Sequence, residues 1–165
     1  MTTEALINYL KQLVIDHPEF AHTETHQAFF KFDYSGMMSL KKSRSQTVLY
    51  VHRIKGGYRN NKGDYKSKQY LIAIRVMEML PTKALMDPYP AILRCEQYGE
   101  EFFDRMEHDR DTSVDPDICS LLKHVDIDQI MFEQLELQAD GWTGMEFVIP
   151  LRAHKSSTYD PAIWA

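Results

Sequence analysis

The clearest pattern in the chain is a pair of alternating runs within residues 132–152, FEQLELQADGWTGMEFVIPLR. Leu135 and Leu137 fall on one side of an extended chain, with Gln134, Glu136 and Gln138 on the other. After the turn, Met145, Phe147, Ile149 and Leu151 again share a face. The period of two predicts two strands, with Asp140-Gly141 opening the turn between them and Gly144 closing it. One face of this hairpin should be buried, and the other wet or reserved for a partner. Pro150 has no N–H for a ladder, so the second strand is expected at a sheet edge, or bonded there on one side only.

Upstream the period changes. Leu6, Tyr9, Leu10, Leu13 and Val14 recur at helical spacing after Thr3-Glu4, predicting an amphipathic helix that stops before His17-Pro18, since the residue before proline avoids helical backbone angles. Its apolar stripe reads as core packing; a membrane-surface role would need more basic residues on the polar side. Ala28, Phe30, Phe32 and Tyr34 alternate with polar and aromatic neighbours and predict a first strand, ended by Ser35-Gly36. Residues 46–54 and 68–80, dense in β-branched and large apolar side chains, predict two strands paired as a long hairpin. Asp87-Pro88-Tyr89-Pro90 opens a second helix running to about residue 108, with Ile92, Cys95, Phe102, Phe103 and Met106 as its apolar stripe. Ile118, Leu121, Leu122 and Val125 form a short apolar segment whose type the pattern leaves open.

The fold expected from these elements is α+β, a mainly antiparallel sheet of about five strands with two helices packed on one face. At 165 residues the chain suits one domain, placed at residues 1–153, with residues 154–165 as an extended C-terminal arm. The Ile163-Trp164 tip of that arm would dock on its own domain or on another copy. The N-terminal residues resemble neither a signal nor a transit peptide, and no run of about eighteen apolar residues occurs, so a cytoplasmic protein without membrane spans is expected. Cys95 and Cys119, far apart in apolar surroundings, read as buried thiols rather than a disulfide.

The net charge of −5 argues against a dedicated nucleic-acid binder, but it conceals a segregation. Residues 41–68 carry nine Lys and Arg against the single acid Asp64, whereas residues 96–140 carry fourteen Asp and Glu against Arg105, Arg110 and Lys123. Two such blocks could meet within one chain or between copies. Residues 55–67, polar and glycine-containing, read either as a solvated loop or as a mobile basic arm. As an arm it offers Lys55, Tyr58, Arg59, Lys62, Tyr65 and Lys66 to a neighbouring subunit, or to nucleic acid with tyrosines stacking on bases. Trp142, in its Gly-Trp turn, and Trp164 are further candidate contacts.

Candidate chemistry is sparse. His22, Glu24 and His26 would share a face of an extended segment, yet lack a recognised ligand spacing; a hydrogen-bonded approach to the first strand is the plainer reading. Glu100 and Asp104 sit among many other acids and read as a solvated helix face rather than an acid–base pair. With no nucleophile elbow, phosphate loop or paired cysteines, a non-enzymatic protein without a cofactor is expected.

The element order is helix, three strands with a long central loop, helix, and a closing pair that leads from Leu135-Glu136-Leu137-Gln138-Ala139-Asp140-Gly141-Trp142 into an alternating strand. Over residues 3–152 this order resembles the small neck and tail proteins of long-tailed bacteriophages and prophages, the tail-terminator and tail-completion group. The resemblance implies an α+β domain that self-associates as a ring at a tail or neck junction, with other tail or neck proteins as partners, and a virion location where the phage is active. A nucleic-acid-binding module using residues 55–67 is the alternative.

Overall fold

The period-two runs fold into one five-stranded sheet, ordered β1-β2-β3-β5-β4. The computed structural model of the chain describes residues 3–23, 26–39, 46–60, 66–81, 87–138 and 140–154. The strands are β1 (Phe29–Lys31), β2 (Thr47–Asn60), β3 (Lys66–Met79), β4 (Met131–Leu135) and β5 (Trp142–His154). The described helices are α1 (Thr3–Asp16), α2 (Tyr34–Met38), α3 (Tyr89–Thr112) and α4 (Pro116–Leu122), with short 3-10 turns at Pro18–Phe20 and Ile127–Gln129.

The protein is α+β, but its sheet is mixed rather than mainly antiparallel. β1 runs parallel to β2, pairing Phe29 with Leu49 and Lys31 with Val51, while the other neighbours are antiparallel. A parallel pair needs a crossover, and α2 lies on it, where a strand end was expected. Phe32 ends the strand with φ of 57°. The Asp33 carboxylate then accepts the Gly36 N–H at 2.8 Å and caps the helix. A Cβ at Gly36 would meet Asp33 Oδ2 at 2.1 Å, so glycine is what lets the cap close.

The helices also exceed the expected two and do not share one face. Leu6, Leu10 and Val14 of α1, Cys95, Phe102 and Met106 of α3, and Leu121 and Leu122 of α4 pack on Leu49, Val51, Ile72, Ile74, Val76, Met145, Phe147, Ile149 and Leu151. Residues one step along those strands point the opposite way. There Phe30, Val48, Tyr50, Met77, Met79 and Trp142 enclose Met37 of α2 in a second, smaller core. The open segment at residues 116–122 is α4, started by Pro116 and by Asp115, whose carboxylate accepts the Asp117 N–H at 2.9 Å.

The hairpin is longer than its apolar runs. Pairing continues from Thr47↔Glu78 to Asn60↔Lys66, so most of the expected basic loop is ladder. The glycines do not break it because β5 backs β3 as far as Ser67↔His154, and the Tyr70 ring lies 3.2 Å from where a Gly56 Cβ would be. His154 thus closes β5 instead of opening an arm; residues 155–165, and 61–65 at the hairpin end, lie outside the described residues. β5 is not an edge strand, but Pro150 bonds on one side as its chemistry requires. Its carbonyl accepts the Asp126 N–H at 3.0 Å, so its nitrogen also faces away from β3.

α3 approaches β5 closely at Gly99, where a Cβ would meet the Phe147 ring at 2.2 Å. Phe147 is 2% exposed and braced by Phe103, ring centroids 5.2 Å apart, so it cannot swing aside. Gly99→Ala should therefore destabilise the fold by about 1–3 kcal/mol through overpacking. Urea unfolding should show a lower midpoint at unchanged slope; an unchanged midpoint would mean that α3 lifts off the sheet freely.

Candidate functional site

The sheet ends in two unlike edges. On one side β1 covers β2 only at Leu49–Val51, and the Phe32 N–H bonds the Val51 carbonyl at 3.0 Å. From Arg53 to Asn60 the outer edge of β2 has no strand beside it among the described residues. Arg53 and Lys55 are exposed along one face of this stretch. On the other side β4 is the outermost strand, and its Met131 and Phe132 are 59% and 62% exposed, one on each face of the sheet.

Between the edges lies a buried charge. Glu146 of β5 is 2% exposed and is held by Arg75 of β3, Nε to Oε2 at 2.7 Å, and by Arg53 of β2, Nη2 to Oε1 at 3.5 Å. Glu133 of β4 stands directly opposite Glu146 on the same face. Like charges so placed repel. Both cations serve Glu146, and Glu133, exposed, makes no ion pair among the described residues.

His52 is the extra residue of a β-bulge, where the β2–β3 register shifts between Val51 and Arg53. Its ring packs 5.8 Å from that of Tyr50, and its Nδ1 is buried without a hydrogen-bond partner among the described residues. Burial, with Arg75 and Arg53 adding to it and Glu146 opposing, holds its pKa below the ordinary 6.5. His22 is shifted the same way, by burial and then by Lys11 and His26, and its Nδ1 accepts the Ala28 N–H at 3.0 Å.

The sequence-predicted contact residues fall unevenly on this layout. Lys55 is on the open edge; Tyr58 and Arg59 take β2 ladder positions opposite Lys68 and Ser67, and Lys66 opens β3 opposite Asn60. Lys62, Tyr65 and Trp164 lie outside the described residues. Trp142 is no surface contact: it starts β5 and is 1% exposed in the second core. The turn ahead of it ends at Gly141, one residue before the Trp side chain must choose a face, and the pleat turns it inward. Glu24 is outside the described residues, and among those described no three His, Cys, Asp or Glu side chains are grouped to hold a metal. Cys95, whose thiol burial pushes up, and Cys119 are both free. Sequence reasoning missed Arg75, Glu146, Met131 and Glu133. Alternation marks such positions as off the main core, without saying which are covered.

A cavity of about 580 Å³ between the end of α1 and α3 is lined by a further set of ionisable groups, among them His17, Arg94, Glu101 and Arg105. Each has a partner: His17 and Glu101 pair with each other, Arg105 with Asp109 and Arg94 with Glu78. His17 Nδ1 accepts the Glu19 N–H at 3.3 Å, leaving Nε2–H to donate to Glu101 at 2.7 Å, and its ring is edged by Phe20, Tyr98 and Phe102. Hydrogen bonds from His17 and Gln97 hold the Glu101 carboxyl below its usual range. Arg94 forks onto Glu78, 4% exposed, at 2.7 and 3.0 Å. These contacts tie α1 and β3 to α3.

No family model matches the chain, and no curated protein or solved structure matches it either. Among the described residues no helix is long and apolar enough to cross a membrane.

Acid should loosen the fold in a window set by two half-buried imidazoles, His22 and His52. The unfolded histidines take up protons near pH 6.5 and the folded ones only below that. The unfolded state therefore binds more protons in between, and stability, complete above that pH, declines as pH falls through it. Thermal unfolding of His52→Phe should show a shallower decline between about pH 7 and 5 than the parent. Parallel curves would remove His52 as a source of the pH dependence.

Proposed function

We propose that the chain is a self-associating structural protein of a phage or prophage tail or neck junction, acting through sheet edges rather than through catalysis. The observation that carries this reading is β4, an outermost strand that presents Met131 and Phe132 to water. An isolated domain protects its edges with charge, prolines or cover, because an apolar edge recruits other chains. The element order that resembles tail-terminator and tail-completion proteins points the same way, and the groups lining the α1–α3 cavity are already used in holding helices to the sheet. Nucleic-acid binding is the second reading, favoured by the exposed Lys55 and Arg53 of the hairpin.

Light scattering after size exclusion, over a concentration series at low and high salt, tests the proposal. The expected result is a discrete oligomer above the mass of one chain that weakens as salt screens the charged edges, with closed rings in negative-stain images. A monomer at every concentration, with salt-steep affinity for DNA or RNA, would overturn it for the second reading.

A further inference from the structure

Resting on that self-association, we infer that copies join edge to edge, the β2 strand of one pairing antiparallel with the β4 strand of the next, so that the sheet continues across the junction. Direction, length, charge and side-chain size each favour this pairing. β2, β3, β5 and β4 alternate in direction across the sheet, so β4 laid beside β2 of a neighbour with the same faces up is antiparallel. Like edges are disfavoured: β2 against β2 sets Arg53 and Lys55 near their own copies, and β4 against β4 does the same to Glu133.

The lengths are compatible. β4 has 5 residues, and among the described residues the edge of β2 is free beyond Val51, where β1 stops, which leaves room for all of β4. Setting Glu133 opposite Lys55 places Leu135 opposite Arg53, at the point where β1 begins to cover the edge. The same register puts Phe132 opposite Gly56 and Met131 opposite Gly57. Gly56 has the Tyr70 ring on its face of the sheet, and a Cβ at Gly57 would meet nothing within 4 Å. Two exposed large side chains would thus cover two residues that have none, with Phe132 and Tyr70 flanking a glycine as aromatics do in stable strands. Glu133, facing Glu146 with no cation paired to it among the described residues, would gain Lys55. Because the two edges differ, the contact is heterologous and propagates to a ring or a filament.

Single-cysteine variants test it in a Cys119→Ser background, Cys95 being buried. Lys55→Cys mixed with Glu133→Cys and mildly oxidised should give a disulfide-linked dimer that neither variant gives alone, and the double variant should give a ladder of higher species. Lys55→Glu or Glu133→Lys alone should raise the concentration for half-association roughly threefold per junction, and the two together should restore it. Both positions are exposed, so circular dichroism should remain that of the parent. Oligomers without the mixed disulfide, and charge changes that simply add, would overturn the edge pairing while leaving self-association standing. A chain monomeric under all conditions would overturn both.

Discussion

Glu146 lies in the middle of β5 with almost none of its surface in water, and a carboxylate cannot stay there unpaired. Its two cations come from different strands, Arg75 directly opposite on β3 and Arg53 one strand further, on β2. The three long strands are therefore locked in register by one charge, since a slip of one residue would turn the partners to the other face. The bulge at His52 makes this possible. Before it, Leu49 and Val51 point to the helices; the extra residue shifts the alternation so that Ile54 continues that core and Arg53 faces Glu146. The buried Nδ1 of His52, without a hydrogen-bond partner among the described residues, is the local cost of that correction.

With the register fixed, the helices cover what they can reach. α1, α3 and α4 seal one face of the sheet, and α3 comes close enough that Gly99 has no room for a side chain against Phe147. α2 caps only the end of the other face where Trp142 and Tyr50 lie. Among the described residues, the outer stretch of β2 and the whole of β4 are left as edges. What the fold leaves uncovered is thus a consequence of a sheet wider and longer than its helical layer.

The parts of the fold legible in the sequence are those where a single face decides the pattern. Met145, Phe147, Ile149 and Leu151 alternate because one side meets the helices, and Leu6, Tyr9, Leu10, Leu13 and Val14 repeat because α1 has one stripe to bury. Where tertiary contacts outweigh local preference, the reading failed. Gly56 and Gly57 suggested a loop, but neighbouring strands and Tyr70 hold them in the ladder. Ser35-Gly36 suggested a break, but Asp33 caps them into a helix. Leu137 alternates like a strand residue, yet β4 stops at Leu135 and the Gln138 N–H turns to the Trp142 carbonyl instead. Of the candidate surface, the charge segregation was visible along the chain; that Met131 and Phe132 stand on an outer edge depends on strand order, which no local pattern encodes.

The two edges also differ in how they resist unwanted pairing. β2 is guarded by Arg53 and Lys55, so a second β2 is repelled, and β4 carries Glu133 beside the buried Glu146, so a second β4 is repelled as well. Each guard becomes an attraction only toward the other edge. Charge alone would leave the register free, because neighbouring positions on β2 are also basic; size removes that freedom, since Phe132 and Met131 find open backbone only at Gly56 and Gly57. In the proposed junction, opposite charge would choose the partner edge, and the glycines the position along it. On this reading the glycines that look like loop residues in the sequence are retained in a strand because a neighbour's side chains fill the space they leave.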